Sequence, residues 1–225
     1  MGIVEKVMHL EGATRTFLPF FLSNLAMIKA YSQARTPMLK ALARERPRAV
    51  APCNPVTYKG LNFRNDLGNA AGFDKDGDLL PFSYSMGAGF AVVGTVLNEP
   101  HSGNYMKYNN VNPWVPLPRS RAAINSLGLP SKGADAVIRN IDSFRQCYEP
   151  KDFPIGVSIM GHPRQDRLTS TIDCMNKVIP YADFIEVNES CPNVCHDIQI
   201  EHRIESLIRA RDKYQPSQEG KFHCL

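Results

Sequence analysis

The sequence has no run of 18 apolar residues, so it offers nothing long and greasy enough to span a bilayer as a helix. It also lacks a signal-peptide layout, because Glu5 and Glu11 sit where a basic and then apolar segment would be needed. Cysteine is too sparse and too irregularly spaced, at six in 225 residues, for a disulfide-stapled scaffold. Free thiols in a reducing compartment are expected instead, which gives a cytoplasmic location with membrane association left open. Cys191, Cys195 and His196 have no second ligand pair nearby, which argues against structural zinc. Charge of one sign is scarce too: the net charge is only +4. That suits an anionic ligand and excludes the concentrated basic face of a nucleic-acid binder.

What is present is the composition of a globular protein, 43% hydrophobic and 21% charged. Residues 16–46 read as helical, with Phe17, Phe20, Phe21, Leu25, Ile28, Leu39 and Leu42 on the apolar positions and Pro37 splitting the segment in two. Such helices can lie on a membrane surface, line a ligand entry, or pack on the main body. The Arg44-Glu45-Arg46-Pro47-Arg48 cluster reads as solvated, and residues 47–55 read as a linker. The expected division is a helical extension with linker over 1–52 and a main domain over 53–225.

From residue 56 onward, short strands alternate with helices. A small strand pair is expected over 56–63, then strands over 67–73, 90–96, 155–160 and 184–187. Helices are expected over 78–86, 131–148, 168–180 and 198–214. Residues 98–123 form a Pro- and Asn-rich excursion holding the only tryptophan, Trp114. The result is α/β with about four β-α units, hence a parallel sheet, either open and doubly wound or a (β/α) barrel. A complete barrel takes about 250 residues, and only about 160 follow the linker.

Polar and small residues recur at successive strand ends, where such folds keep their chemistry. They are Ala70-Ala71-Gly72-Phe73-Asp74-Lys75, Gly94-Thr95, Ser158, and Asn188-Glu189-Ser190-Cys191-Pro192-Asn193, with Ile124-Asn125-Ser126-Leu127-Gly128-Leu129-Pro130 closing the excursion. Singly each is ordinary, and Asp74-Lys75-Asp76-Gly77 reads equally well as a plain turn. Together they gather amides, hydroxyls, a lysine and a thiol on one face. Cys191 is a candidate base or nucleophile there, and Asn188 and Asn193 are candidate hydrogen-bonding clamps.

Four of these motifs, in chain order Ala70 to Lys75, Gly94-Thr95-Val96, Ile124 to Pro130 and Asn188 to Asn193, together covering roughly residues 56–200, resemble dihydroorotate dehydrogenase, a family of FMN-containing TIM (β/α) barrel enzymes of pyrimidine (UMP) synthesis. The resemblance implies that Ala70, Ala71, Gly72, Thr95, Asn125, Ser158 and Asn188 surround FMN. It implies that Lys75, Asn125, Leu127, Gly128, Leu129, Asn188 and Asn193 hold dihydroorotate or orotate. Cys191 would take the C5 proton while hydride leaves C6 for the flavin. Cysteine at the base position and Asn125 to Pro130 look like the soluble class 1 enzymes. The Gly72-Phe73-Asp74-Lys75 run and the N-terminal helices look like the membrane-associated, quinone-reducing class 2. Ser158 stands where class 2 members often carry an asparagine, and Glu189 is an unusual residue within its motif. The acceptor is therefore left among quinone, fumarate, and nicotinamide through a partner.

The family's flavin-binding lysine and phosphate-binding glycine loops come from later strands than any readable here. The tail 215–225 is polar and shows no strand pattern. The chain is accordingly expected to be the N-terminal portion only of such a barrel, preceded by short N-terminal helices. Two other readings remain: a truncated, inactive remnant or interaction-only fragment, and a related flavoprotein of the dihydropyrimidine dehydrogenase type.

Overall fold

The structure, a computed structural model, describes residues 2–45, 53–111, 113–117, 120–189, 200–214 and 223–224. The chain opens with helix α1 (Ile3–Thr14), a single 3-10 turn, the short α2 (Leu18–Phe21) and the long α3 (Asn24–Glu45). α1 has no buried residue, and it lies ahead of the segment 16–46 in which helix was expected. α1 and α3 lie side by side with opposed ends. The Glu45 carboxylate accepts from the backbone N–H groups of Val4 and Glu5, which places negative charge at the start of α1. At the other end Tyr31 Oη donates to Glu11 Oε1.

Pro37 does not split the helix. α3 runs straight through it, and the break falls instead at Leu22, whose backbone is extended. Proline removes the hydrogen bond to the carbonyl four residues earlier, here that of Gln33. Both Gln33 and Pro37 are exposed, so water can satisfy that carbonyl. Met27 before the proline and Leu39, Leu42 and Ala43 after it are buried, so tertiary packing holds both halves in line.

The main body is a five-stranded sheet in the order β3-β4-β7-β8-β9. Its strands are β3 (Asn69–Asp74), β4 (Ala91–Val96), β7 (Ile155–Ile159), β8 (Phe184–Val187) and β9 (His223–Cys224), with every neighbouring pair parallel. β4 and β7 are buried at every position. Such strands, covered on both faces, read as continuous Val, Ile and Ala runs rather than alternations. The connecting helices are α4 (Leu80–Ser85), α5 (Ala134–Tyr148), α6 (Arg167–Val178) and α7 (Ile200–Tyr214).

α5 places Ala134, Val137, Ile141 and Phe144 on its buried stripe. α6 starts where the Asp166 side chain accepts from Thr169 N, an N-cap that satisfies one orphan donor. Val93, Val96, Ile155, Val157, Ile159 and Ile185 meet these helices in one core. Each such side chain contributes about 1.5–3 kcal/mol by burial.

Two hairpins decorate the sheet. β1 (Val56–Tyr58) pairs antiparallel with β2 (Leu61–Phe63), as expected. The excursion holds a second hairpin, β5 (Trp114–Leu117) with β6 (Ala122–Asn125), which its prolines concealed. Pro116 lies within β5, a position tolerated because a two-stranded hairpin consists only of edges. The tail also departs from expectation, since β9 pairs with Phe184 and Ile185. A two-residue strand is too short to show a pattern, yet its backbone can meet the open groups along the edge of β8. Most of the linker, at 47–52, lies outside the described residues.

Candidate active site

Three neighbouring strand ends converge on one polar trio. Residues of β4, β7 and β8 that alternate with the helix-facing set turn to the opposite side of the sheet. Thr95, Ser158 and Asn188 meet there. Asn188 N donates to Ile159 O at 2.9 Å, carrying the β7–β8 pairing one residue past the strand. Asn188 Nδ2 donates to Thr95 Oγ1 at 2.7 Å, and Thr95 Oγ1 lies 3.5 Å from Ser158 Oγ. Thr95 and Ser158 are buried.

The approach of β4 to β7 depends on Gly94, with φ +126°, where a Cβ would fall 2.5 Å from Ser158 O. The β4–β7 register shifts at this point, and the shift turns Thr95 toward its partners.

On the adjacent β3, Ala70 and Gly72 are exposed and Ala71 is half-buried. A Cβ built on Gly72, at φ +96°, would touch nothing within 4 Å. The strand therefore presents a small, open surface at the sheet's edge.

A cavity of about 1270 Å³ lies at the same end of the sheet, between α3 and the loops that follow β3, β4 and β7. Tyr31 and Arg35 of α3 face Gly72, Lys75, Leu127 and His162 across it. Arg35 Nη2 donates to Phe73 O at 2.8 Å, and its guanidinium sits 4.8 Å from the centre of the Phe73 ring. Burial lowers the Arg35 pKa, while Asp74 and Asp78 oppose the shift.

Asp74, 1% exposed, accepts from Gly77 N and Leu79 N at 2.9 Å each and so closes the turn after β3. Burial raises its pKa to about 6 despite those two bonds. The imidazoles of His101 and His162 meet edge-on at 5.3 Å. Burial, with His101 as the next cause, holds His162 below the ordinary histidine range.

Of the residues singled out from the sequence, Thr95, Ser158 and Asn188 form the trio, and Gly72, Lys75 and Leu127 line the cavity. Asn125 is exposed at the end of β6, its Oδ1 accepting from Leu127 N at 3.4 Å. Gly128 is buried, and Leu129 packs with Leu97 and Met160 in a small second core. Two carbonyls of this segment are engaged within the fold: Leu127 O accepts from Asn104 N, and Leu129 O lies 3.0 Å from His101 Nδ1. Cys191 and Asn193 lie outside the described residues.

The sequence reading missed Arg35, His101 and His162. Both histidines fall in loops that follow strands, β4 and β7, so the strand-end rule that found Lys75 reaches them as well. Arg35 carries no such signal, because its place at the cavity follows from how α3 packs.

Parallel strands with polar groups gathered at their C-terminal ends define an α/β enzyme scaffold of the (β/α) barrel type. A family model for dihydroorotate dehydrogenase matches residues 55–210. The chain belongs to the dihydroorotate dehydrogenase family, a family of oxidoreductases. Among its relatives, the dihydroorotate dehydrogenase (quinone) of Stenotrophomonas maltophilia strain K279a is 33% identical over 193 residues, covering 84% of this chain and 51% of the relative. The protein of the same description from Shewanella sp. strain W3-18-1 is 36% identical over 168 residues, covering 72% and 46%. The crystal structure of DHODH from Eimeria tenella in complex with ferulenol superposes with a TM-score of 0.69 at 25% identity, covering 82% of this chain and 50% of that one. The chain thus spans about half the length of the curated relatives it matches.

Proposed function

We propose that this chain carries the substrate-facing part of a flavin-dependent dihydroorotate dehydrogenase, oxidising dihydroorotate to orotate in pyrimidine synthesis. The observation that carries the reading is the Thr95–Ser158–Asn188 trio beside the open surface of Ala70 and Gly72. A flat ring can lie on residues that small, and its polar edge can be met by hydroxyl and amide groups from the adjoining strands. These residues fit the isoalloxazine ring of FMN, which when bound supplies the site that receives hydride from C6 of the substrate.

The chain's own residues do the rest. Asn188, with Asn193, would fix the pyrimidine ring through its amides and carbonyls. Lys75 would face the substrate carboxylate. Cys191 would take the C5 proton on Sγ, so that the C5–H and C6–H bonds break as the C5=C6 double bond forms. A thiol does this when its pKa is lowered or when water relays the proton. Holding the ring in one orientation is where such a site gains much of its rate.

Quinone is the acceptor favoured by the descriptions of the relatives and by the cavity between α3 and the strand ends. The exposed apolar residues of the N-terminal helices, among them Phe17, Phe20, Phe21 and Leu25, would meet a lipid surface.

The test is titration of the purified chain with FMN, followed by quenching of flavin fluorescence, and then addition of dihydroorotate with bleaching of the flavin band. Saturable quenching and bleaching are expected, with bleaching slowed in Cys191→Ala. A chain that folds but leaves flavin fluorescence untouched overturns the reading for this polypeptide. Undiminished bleaching in Cys191→Ala removes the thiol from the reaction.

A further inference from the structure

Arg35 and Lys40 of α3 touch the chain on either side of Lys75. Arg35 Nη2 donates to Phe73 O at 2.8 Å, and its guanidinium lies against the Phe73 ring. Lys40 Nζ donates to Asp78 Oδ2 at 3.1 Å. The two bases are five residues apart in the helix, which is about 7.5 Å along its axis. The two points they hold, Phe73 and Asp78, are also five apart. Lys75 directly follows β3, lines the cavity and stands between those points.

The turn they hold is a closed unit. Asp74 accepts from Gly77 N and Leu79 N, so one carboxylate ties the backbone from 74 to 79. The other side of the turn is held from the main body. Asn140 of α5 donates from Nδ2 to Asp76 O at 2.9 Å. Lys132, in the loop between β6 and α5, donates its backbone N–H to Asp76 Oδ1 at 3.0 Å. Its Nζ lies 3.3 Å from Asp76 Oδ2 and 3.4 Å from Asp78 Oδ2. Asp78 Oδ2 is therefore shared between α3 and the loop that carries Leu127.

The Lys40 side chain is 42% exposed, and ion pairs that wet add little to the stability of a fold. Their effect on geometry is a separate matter. A side chain that meets an anion depends on where its own backbone stands, and a shift of about 1 Å is enough to weaken the contact. A rigid turn gripped on both flanks by one helix takes its place from that helix.

We infer that Arg35 and Lys40 form a two-point brace through which the helical extension positions Lys75 toward the substrate carboxylate, with Asp78 as the shared anchor. These are positioning residues that act through Lys75. The inference rests on the reading of Lys75 as the carboxylate contact, which a separate variant tests.

The experiment compares two probes by titration calorimetry on the purified chain. One is orotate, and the other is orotamide, which keeps the ring and lacks the carboxylate charge. Lys75→Gln should weaken orotate and leave orotamide unchanged. Lys40→Gln, Arg35→Ala and Asp78→Ala should each weaken orotate by about two- to five-fold, the size expected for one lost contact of this kind. Orotamide should again be unchanged, and Lys40→Arg should restore the wild-type value. Asp78→Ala separates positioning from charge alone. Removing a negative charge would tighten anion binding if only the field mattered, whereas loss of the anchor weakens it.

Hydrogen exchange of the peptide spanning 72–79, read without ligand, should be faster in the same three variants. Unchanged exchange there, equal losses for the two probes, or tighter orotate binding by Asp78→Ala overturns the inference. So does orotate binding that Lys40→Gln leaves unmoved while Lys75→Gln weakens it. Lys40→Gln decides alone if a variant at Arg35 or Asp78 fails to fold, since an exposed side chain leaves no cavity behind. Failure of the Lys75 reading appears separately, as orotate binding that is absent or unaffected by Lys75→Gln while exchange of 72–79 is still faster in Lys40→Gln. The role toward the carboxylate is then rejected, and the brace stands only as a hold on the turn.

Discussion

Asn188 Nδ2 donates to Thr95 Oγ1 at 2.7 Å, so a residue just beyond β8 is tied to one inside β4, two strands away, across Ser158 of β7. The bond locks the direction of the Asn188 amide, which is the group proposed to hold the pyrimidine. Thr95→Val keeps the shape and removes the acceptor. It should cost about 1 kcal/mol, since a half-buried amide loses this hydrogen bond. Urea denaturation measures this. Thr95→Ser should restore most of the loss, and FMN titration should weaken in parallel with Thr95→Val.

Asp74 makes stability depend on pH in a direction unusual for a carboxylate. Its pKa is raised from 3.8 to about 6 by burial, so the folded state holds its proton more tightly than the unfolded chain. The stabilisation is complete below about pH 4 and is lost as pH rises through about 6, amounting to as much as ~3 kcal/mol. Denaturation midpoints of the wild type should fall over that interval more steeply than those of Asp74→Asn. Parallel curves for the two proteins would contradict the assignment.

Arg35 joins the helical extension to the end of β3 through one hydrogen bond and one ring contact. Arg35→Ala should loosen α3 at a cost of about 1–2 kcal/mol. Limited proteolysis should then cut within 2–45 at a rate that leaves the sheet domain intact. Arg35→Lys, with no planar group to lie on Phe73, should recover only part of the protection.

Phe20 and Phe21 are 67% and 83% exposed, which leaves little burial to lose. Replacing both with Ser should change stability by no more than about 0.5 kcal/mol. If these helices rest on lipid, the same change should reduce sedimentation of the chain with phospholipid vesicles. Equal sedimentation of variant and wild type would argue that the face serves another purpose.

The inner strands β4 and β7 were legible because they are buried on both faces. Phe184–Val187 is a compact apolar run, and the structure gives it the expected bounds. α5 was legible for the complementary reason, since Val137, Ile141 and Phe144 repeat at helical spacing. Legibility failed where local signals met longer-range packing. Pro37 breaks helices as a rule, but its face is solvated and its flanks are anchored. The β5–β6 hairpin contains a proline, and the two residues of β9 borrow their strand geometry from β8.

The site divides in the same way. Thr95 and Ser158 lie near the ends of β4 and β7 and Asn188 directly follows β8, and these strand ends could be picked out as polar and small-residue positions. Arg35 reaches the cavity by a helix packing that no motif records.

The strand order has a consequence for how the molecule is made. β3, β4, β7 and β8 join the sheet in the order they leave the ribosome, each meeting an edge that already exists. The β4–β7 pair, entirely buried, can serve as a seed, and later strands add without rearranging earlier ones. Among the described residues the β5–β6 hairpin forms a two-stranded sheet of its own, so a delay in its closure need not stall assembly of the main sheet.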